Sequence, residues 1–314
     1  MKEIMGNIKN KSLNPVIKKL HIKNSSLYLM ILPAFLLVFV FSYIPMLGIV
    51  IAFKEYKPWI GVFKSPWVGL DQFKMMFTYP GVGQIIWNTL YISVMKIVIG
   101  FIVPIIFALL LNEVRSVAYK RTIQTLVYLP YFLSWVILGG VLTDLLSVNT
   151  GMVNNILKAI GMNPIMFLQD GDWFRFTVVV SDVWKGFGFS TIVYIAAITG
   201  ISPSLYEAAT VDGANKWKQA LYITIPSILP IAAVVLTLSL GNILNAGFDQ
   251  IFNLYSPLVY GKGDIIDTFV YRTGMIDNSY SFSTAVGLFK SVISFMLITM
   301  TYKITYKYGN YRIF

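Results

Sequence analysis

Residues 201–230 read ISPSLYEAATVDGANKWKQALYITIPSILP, a polar, turn-rich segment set between two long apolar runs. Ser204 and Glu207 have the Ser-x-x-Glu spacing of a capping box, which predicts a short helix beginning at Ser204. Asp212-Gly213 interrupts it, since Asp is a good N-cap and Gly permits a sharp turn. A second helix is expected from Ala214 towards Ile225, with Pro226 and Pro230 close to the start of the next apolar run. Two short helices at an angle, held between apolar segments, make a rigid knuckle and not a hinge.

The runs on either side belong to a series. Apolar stretches lie at about 28–53, 85–111, 122–146, 174–200, 227–249 and 285–302, each near the roughly 20 residues that a bilayer crossing needs. Mean hydropathy is +0.69, and only 12% of the 314 residues are charged. A soluble protein of this length exposes far more charge, so the class is all-α integral membrane. The absence of cysteine excludes disulfides and thiolate metal sites. The single His21 sits in a basic tail and reads as solvated, so no catalytic or metal residue is assigned. No Gly-x-x-x-x-Gly-Lys-Ser/Thr run occurs, so ATP hydrolysis is not expected in this chain.

Charge placement sets the expected topology. The N-terminal tail, 1–27, holds six lysines (Lys2, Lys9, Lys11, Lys18, Lys19, Lys23) against Glu3, and the following span is too long for a cleaved signal, so it reads as an anchor. Segments 1–27, 112–121, 201–226 and 303–314 carry 14 Lys and Arg in 75 residues. Segments 54–84, 147–173 and 250–284 carry 7 in 93. Positive residues mark the cytoplasm, so both termini and the 201–226 loop are expected inside. The net charge of +11 then reports topology and not a nucleic-acid partner. Trp59 and Trp67 read as interfacial anchors of the first external loop, and a short amphipathic helix is expected near Val153–Ile160.

Charges within spans cost about 3 kcal/mol each on insertion scales, so they are functional candidates. Lys96 lies near the middle of the second run; Lys290, near the outer end of the sixth, can snorkel to the interface. Asp182 and Lys185, three apart on the fourth, share a face and can pair with each other. Gly186 and Gly188 beside them suit close helix approach. Ser239, Asn242, Asn245 and Asp249 are expected as one stripe along the fifth run, either lining a pathway or bonding a neighbouring helix.

The 201–230 stretch resembles the signature of permease subunits of binding-protein-dependent ABC importers. Glu207-Ala208-Ala209, three residues, Gly213, nine residues, then Ile223 and Pro226 reproduce its spacing, and Asp212 and Ala214 match the sugar-type variant. Trp184-Lys185-Gly186-Phe187-Gly188, Phe248-Asp249-Gln250-Ile251-Phe252 and the 57–77 loop are similar to the same sugar- and polysaccharide-type members. The resemblance implies a six-helix type I importer fold (28–302) whose 201–226 loop docks on a separate ATPase. It implies a second homologous permease, two ATP-binding cassette subunits carrying ATP and Mg, an extracellular solute-binding protein and a carbohydrate cargo, in a bacterial plasma membrane. No cofactor is implied for this chain. Trp184 and Gln250 join Lys96, Asp182, Lys185, Ser239, Asn242, Asn245 and Asp249 as candidate pathway residues.

Two other classes compete. An ion-coupled secondary transporter wants paired carboxylates in its spans, and Asp144, Asp182 and Asp249 are scattered. A membrane glycosyltransferase wants a His, Asp or Glu cluster at one membrane face, which the sequence lacks.

Overall fold

The computed structural model describes residues 25–309, with side chains from 27 to 303; the lysine-rich tail with His21 and the end of the C-terminal tail lie outside. Five helices are long and apolar enough to cross a membrane: Leu27–Phe53, Val82–Asn112, Gly171–Thr199, Lys216–Gly241 and Tyr280–Lys303. A bent pair, Val117–Phe132 with Trp135–Leu146, makes six if counted as one span. We number them first to sixth in chain order. Among the described residues there is no strand, only a bridge between Lys54 and Trp67.

The described residues up to Ile51 form one compact unit, which is mostly the first helix. Pro45 has no N–H to donate, and the turn before it widens to π type over Phe39–Tyr43. Phe35, Phe39 and Tyr43 stack along that helix at centroid distances of 6.2 and 6.1 Å.

The second unit begins at Ala52. Its second and fourth spans lie side by side and are sealed at two levels. At one end Ile92, Phe174 and Val178 bury against Ala246, Ile251, Leu254, Val259 and Ile265. At the other Ala108, Tyr194, Ile198, Ile228 and Ala232 close the packing. A third cluster, including Met76, Ile85, Phe269 and Phe282, ties the short helix Asp71–Thr78 to the start of the sixth span, at Tyr280 and not 285. A methyl on Gly188 would overlap the Val127 carbonyl, so that glycine does permit close approach, whereas Gly186 faces open space.

Backbone polar groups in lipid have to be satisfied locally, and two spans depart from a straight helix. The third bends by 102° between its arms. Pro130 lies in the tight turn Leu129–Phe132, and the Ser134 hydroxyl accepts the Ile137 N–H at 3.3 Å, capping a new helix. The fifth stops at Gly241 and does not run to 249; the chain turns through 242–247 before a short helix, Phe248–Leu254. The short amphipathic helix expected near Val153–Ile160 is Met152–Ala159.

The knuckle differs from the expected two short helices. Its first helix is Pro203–Val211 with Ser202, and not Ser204, at the N-cap, and the two hydroxyls bond each other at 2.7 Å. Asp212 ends this helix instead of starting the next. Gly213 has φ +77°; its N–H reaches the Thr210 carbonyl at 3.1 Å, and the Ala214 N–H reaches Ala209 at 2.8 Å. That pair of bonds is a Schellman motif, which needs a left-handed residue at Gly213. Asn215, accepting the Lys218 N–H at 3.0 Å, caps a helix that continues into the fifth span. Pro226 cannot donate to Tyr222, and the turn Ala220–Thr224 widens to π type before it.

Candidate functional site

The break in the fifth span is the centre of a polar region in the helical bundle. Asn242 N–H bonds Ser239 at 3.0 Å and Asn245 N–H bonds Asn242 at 2.8 Å, so the chain coils tightly before Gly247, whose φ is +93°. The backbone there calls for glycine, and a Cβ on Gly247 would lie 3.0 Å from the Lys96 ammonium and push it aside. Lys96, 9% exposed, donates to the Ala246 carbonyl at 2.7 Å and to the Gln250 side-chain oxygen, and lies 3.3 Å from Asp182. Gln250, fully buried, turns its amide N–H groups to the Val178 carbonyl at 2.8 Å and the Ser181 hydroxyl at 2.9 Å. One lysine thereby ties the second and fourth helices to the turn and the short helix that follow the fifth span.

Beside this knot lies a cavity of about 330 Å³, lined by Lys96, Asp182, Ser190, Ser239, Asn242 and Asn245 among others. The buried hydroxyls of Ser93 and Tyr194, also in its wall, have no protein partner. The arrangement offers donors and acceptors of both kinds around a space where water or a polar solute fits.

The expected helical stripe is corrected by the break. Ser239, Asn242 and Asn245 do reach one wall, but Asp249 and Gln250 belong to the next short helix, Asp249 exposed and Gln250 buried in the knot. Asp182 pairs with Lys96 and not with Lys185. Lys185 instead donates to the Tyr131 carbonyl at 2.9 Å and lies 5.3 and 5.5 Å from the Tyr131 and Trp135 ring centroids. Trp184 points away to a separate apolar pocket with Leu142, Phe176 and Val180. Lys290 is held by Asp267 at 2.5 Å and does not snorkel free. Ser93 and Thr89 went unread, although Thr89, Ser93 and Lys96 stand four and three apart and so share a face of the second span.

At the knuckle, Glu207 and Ala208 are exposed, Ala209 and Ala214 partly covered. Ile223 is half-buried and Pro226 exposed. Gln219, 5% exposed, donates to Thr210 at 3.0 Å and to the Ala214 carbonyl at 3.1 Å, and Tyr206 bonds Thr224 at 2.9 Å. These bonds lock the turn. Val211 and Trp217, 89% and 82% exposed, leave an apolar surface on its outside. Lys216 reaches Glu113, just after the second span, at 3.5 Å.

A second knot, also missed in the sequence, joins the far ends of the second and fourth spans to 260–272. Buried Asn88 donates to the Gly261 and Asp264 carbonyls at 3.2 and 3.1 Å and accepts from Arg175 at 2.5 Å. Arg272 bonds Asp264 at 2.5 Å and stacks on the Tyr260 ring at 4.3 Å. Burial works against the Arg272 charge, but Asp264 outweighs it and holds the guanidinium above its ordinary range. Burial, with Tyr260 alongside, pushes the Tyr255 phenol up to about 12.

Residues 100–306 match the family described as "Binding-protein-dependent transport system inner membrane component". Protein LplB of Bacillus subtilis (strain 168) is 42% identical over 272 residues, covering 87% of this chain and 86% of its own length. The polygalacturonan/rhamnogalacturonan transport system permease protein YteP of the same organism is 41% identical over 293 residues, covering 93% and 91%. A chain in the structure of a bacterial ABC transporter involved in the import of the acidic polysaccharide alginate has TM-score 0.86 and 39% identity, covering 93% of this chain and 99% of that one. A chain from the bacterial alginate ABC transporter in complex with alginate pentasaccharide-bound periplasmic protein has TM-score 0.83 and 40% identity, covering 91% and 96%.

Proposed function

The chain belongs to the family of inner membrane components of binding-protein-dependent transport systems, and from that premise we propose that its cargo is a carbohydrate, an oligosaccharide or polysaccharide fragment. It is a multi-pass permease subunit of an ABC importer, and ATP is hydrolysed on separate subunits. The polysaccharide named for YteP and the alginate named for the solved transporters support a glycan as cargo. The observation that carries the reading is the polar cavity at the broken fifth span, because hydroxyls and amides that both give and accept hydrogen bonds match a sugar's own hydroxyls.

The rest of the machine follows from the same reading. A second homologous permease completes the pore, and a solute-binding protein delivers the sugar from outside. Two ATP-binding cassette subunits, holding ATP and Mg, dock on the knuckle at Glu207–Ala209, Asp212–Ala214 and the exposed Trp217. The membrane is the bacterial plasma membrane with both termini inside, in line with the charge of the loops. Closure of the ATPases moves the knuckle, the fifth span follows as a continuous helix, and the cavity changes its access.

Because the chain has no cysteine, single introduced thiols report without background. In the reconstituted complex, Asn242→Cys and Asn245→Cys should react with a water-soluble thiol reagent at rates that change with an ATP analogue. Leu244→Cys, at a position 4% exposed, should react slowly throughout. Equal rates at all three positions, or two inert asparagine sites in every nucleotide state, would return the cavity to a structural role.

A further inference from the structure

A hydroxyl inside a membrane helix has a ready partner in the carbonyl one turn back. Thr89, Ser181, Thr191 and Ser239 use it, each donating to the residue four positions earlier at 2.6–2.9 Å. Ser93 stands one turn after Thr89 on the same face of the second span and does not. Its hydroxyl, like that of Tyr194 on the fourth span, is buried and has no partner among the described residues. A bundle in lipid offers no bulk water to such groups, so each is a standing cost to the fold in this arrangement.

The two residues stand at opposite ends of the polar cavity. Tyr194, Phe101 and Val235 line it and also pack in the apolar cluster with Ala108, Ile198, Ile228 and Ala232, so they form its floor on the side of the knuckle. Ser93, another lining residue, follows Ile92 of the cluster that closes the other end, and the cavity residue Ala246 belongs to that cluster too. Each unpaired hydroxyl is therefore carried where polar space meets an apolar seal. Ile228 and Ala232 of the floor lie on the helix that runs unbroken from the knuckle, Lys216–Gly241.

We propose that Ser93 and Tyr194 are held unpaired for the cargo: hydroxyls of the bound saccharide bond both when the wall opens, and the bond to Tyr194 favours the arrangement in which the floor has moved. This rests on the carbohydrate reading above and adds two specificity-determining side chains and the place where occupancy is felt. A sugar hydroxyl donates and accepts, so it answers a serine and a tyrosine without any counter-charge. A ligand shifts a protein between two arrangements only by binding one of them better. Groups left unpaired in one arrangement and paired by cargo in the other supply that difference.

The test uses the complete importer with its solute-binding protein in proteoliposomes and labelled galacturonan and alginate oligosaccharides as cargo. Because wild type and variants share one binding protein, a difference between them belongs to the permease. Tyr194→Phe and Ser93→Ala each remove little more than a hydroxyl. Each should lower kcat/KM for uptake about three- to tenfold, the effect of losing one neutral hydrogen bond. Tyr194→Phe should also shrink the gain in ATPase rate from cargo-loaded over empty binding protein. The unfolding midpoint in detergent should stay or rise, since neither hydroxyl holds a partner in the resting fold. Thr191→Val, which removes a buried hydroxyl already bonded to Phe187, should leave kcat/KM and the ATPase gain unchanged. Unchanged kcat/KM in both test variants overturns the proposal while leaving carbohydrate import standing. So does a lowered unfolding midpoint with uptake intact, which would give the hydroxyls to trapped water, or an equal loss of uptake in Thr191→Val. Failure of wild type to take up any of the sugars under ATP removes the carbohydrate reading and this proposal with it.

Discussion

At the scale of single residues, Lys96 decides more than its charge suggests. Its ammonium holds the carbonyl end of a broken helix, a buried amide and a carboxylate at once. Lys96→Met should lower stability by about 3 kcal/mol, because Gln250, the Ala246 carbonyl and Asp182 all lose a partner. Asp182 is 36% exposed, so the pairwise term with it should be only about 1 kcal/mol, measured as the non-additivity of Lys96→Met and Asp182→Asn in detergent unfolding. A coupling near zero with no loss in the single lysine variant would show that the knot holds nothing. A lysine in an apolar run was legible in the sequence as an anomaly with a function attached. Its partners were not: Ala246 and Gln250 lie 150 and 154 positions away, and neighbours along one helix offered Asp182 the nearer Lys185. Helix spacing tells which groups could meet, while tertiary packing decides which do.

At the scale of elements, the six apolar runs were plain to read, because bilayer thickness sets their length and little else competes. Their breaks were not. Nothing in Leu133-Ser134 distinguishes a 102° bend from an ordinary serine in a helix, and the Asn242–Gly247 turn reads as a polar stripe until the helix is seen to stop. The knuckle was legible in spacing and misread in mechanism. The intervals from Ala209 to Gly213 and Ala214 are those of a helix-ending motif, with the carbonyl, the left-handed residue and the closing N–H each at its place. Gly213→Val should therefore strain that turn by about 1–3 kcal/mol although nothing lies within 4 Å of the new Cβ. Substrate-stimulated ATPase activity of the reconstituted complex should fall, with the spans still inserted and the basal rate kept. Full stimulation in Gly213→Val would mean that the exact path of the knuckle does not matter to the ATPase.

At the scale of the whole molecule, loop charge predicts that the Lys216–Lys218 knuckle and the Lys262 turn lie on opposite sides of the membrane. Both ends are accessible enough to ask: the Lys262 and Lys216 side chains are 46% and 67% exposed. A membrane-impermeant amine reagent on intact cells should label Lys262 and spare Lys216 and Lys218; the reverse pattern would invert the topology and remove the knuckle from any contact with ATP-hydrolysing subunits. The continuity of the helix from the knuckle into the fifth span has a mechanical meaning as well. From Lys216 to Ser239 the rod is roughly 35 Å long, so a tilt of about 10° about its inner end sweeps the cavity wall sideways by about 6 Å. On the proposed docking of the ATPases at the knuckle, a stroke delivered there is magnified by leverage alone, and the polar cavity is the tip of the lever.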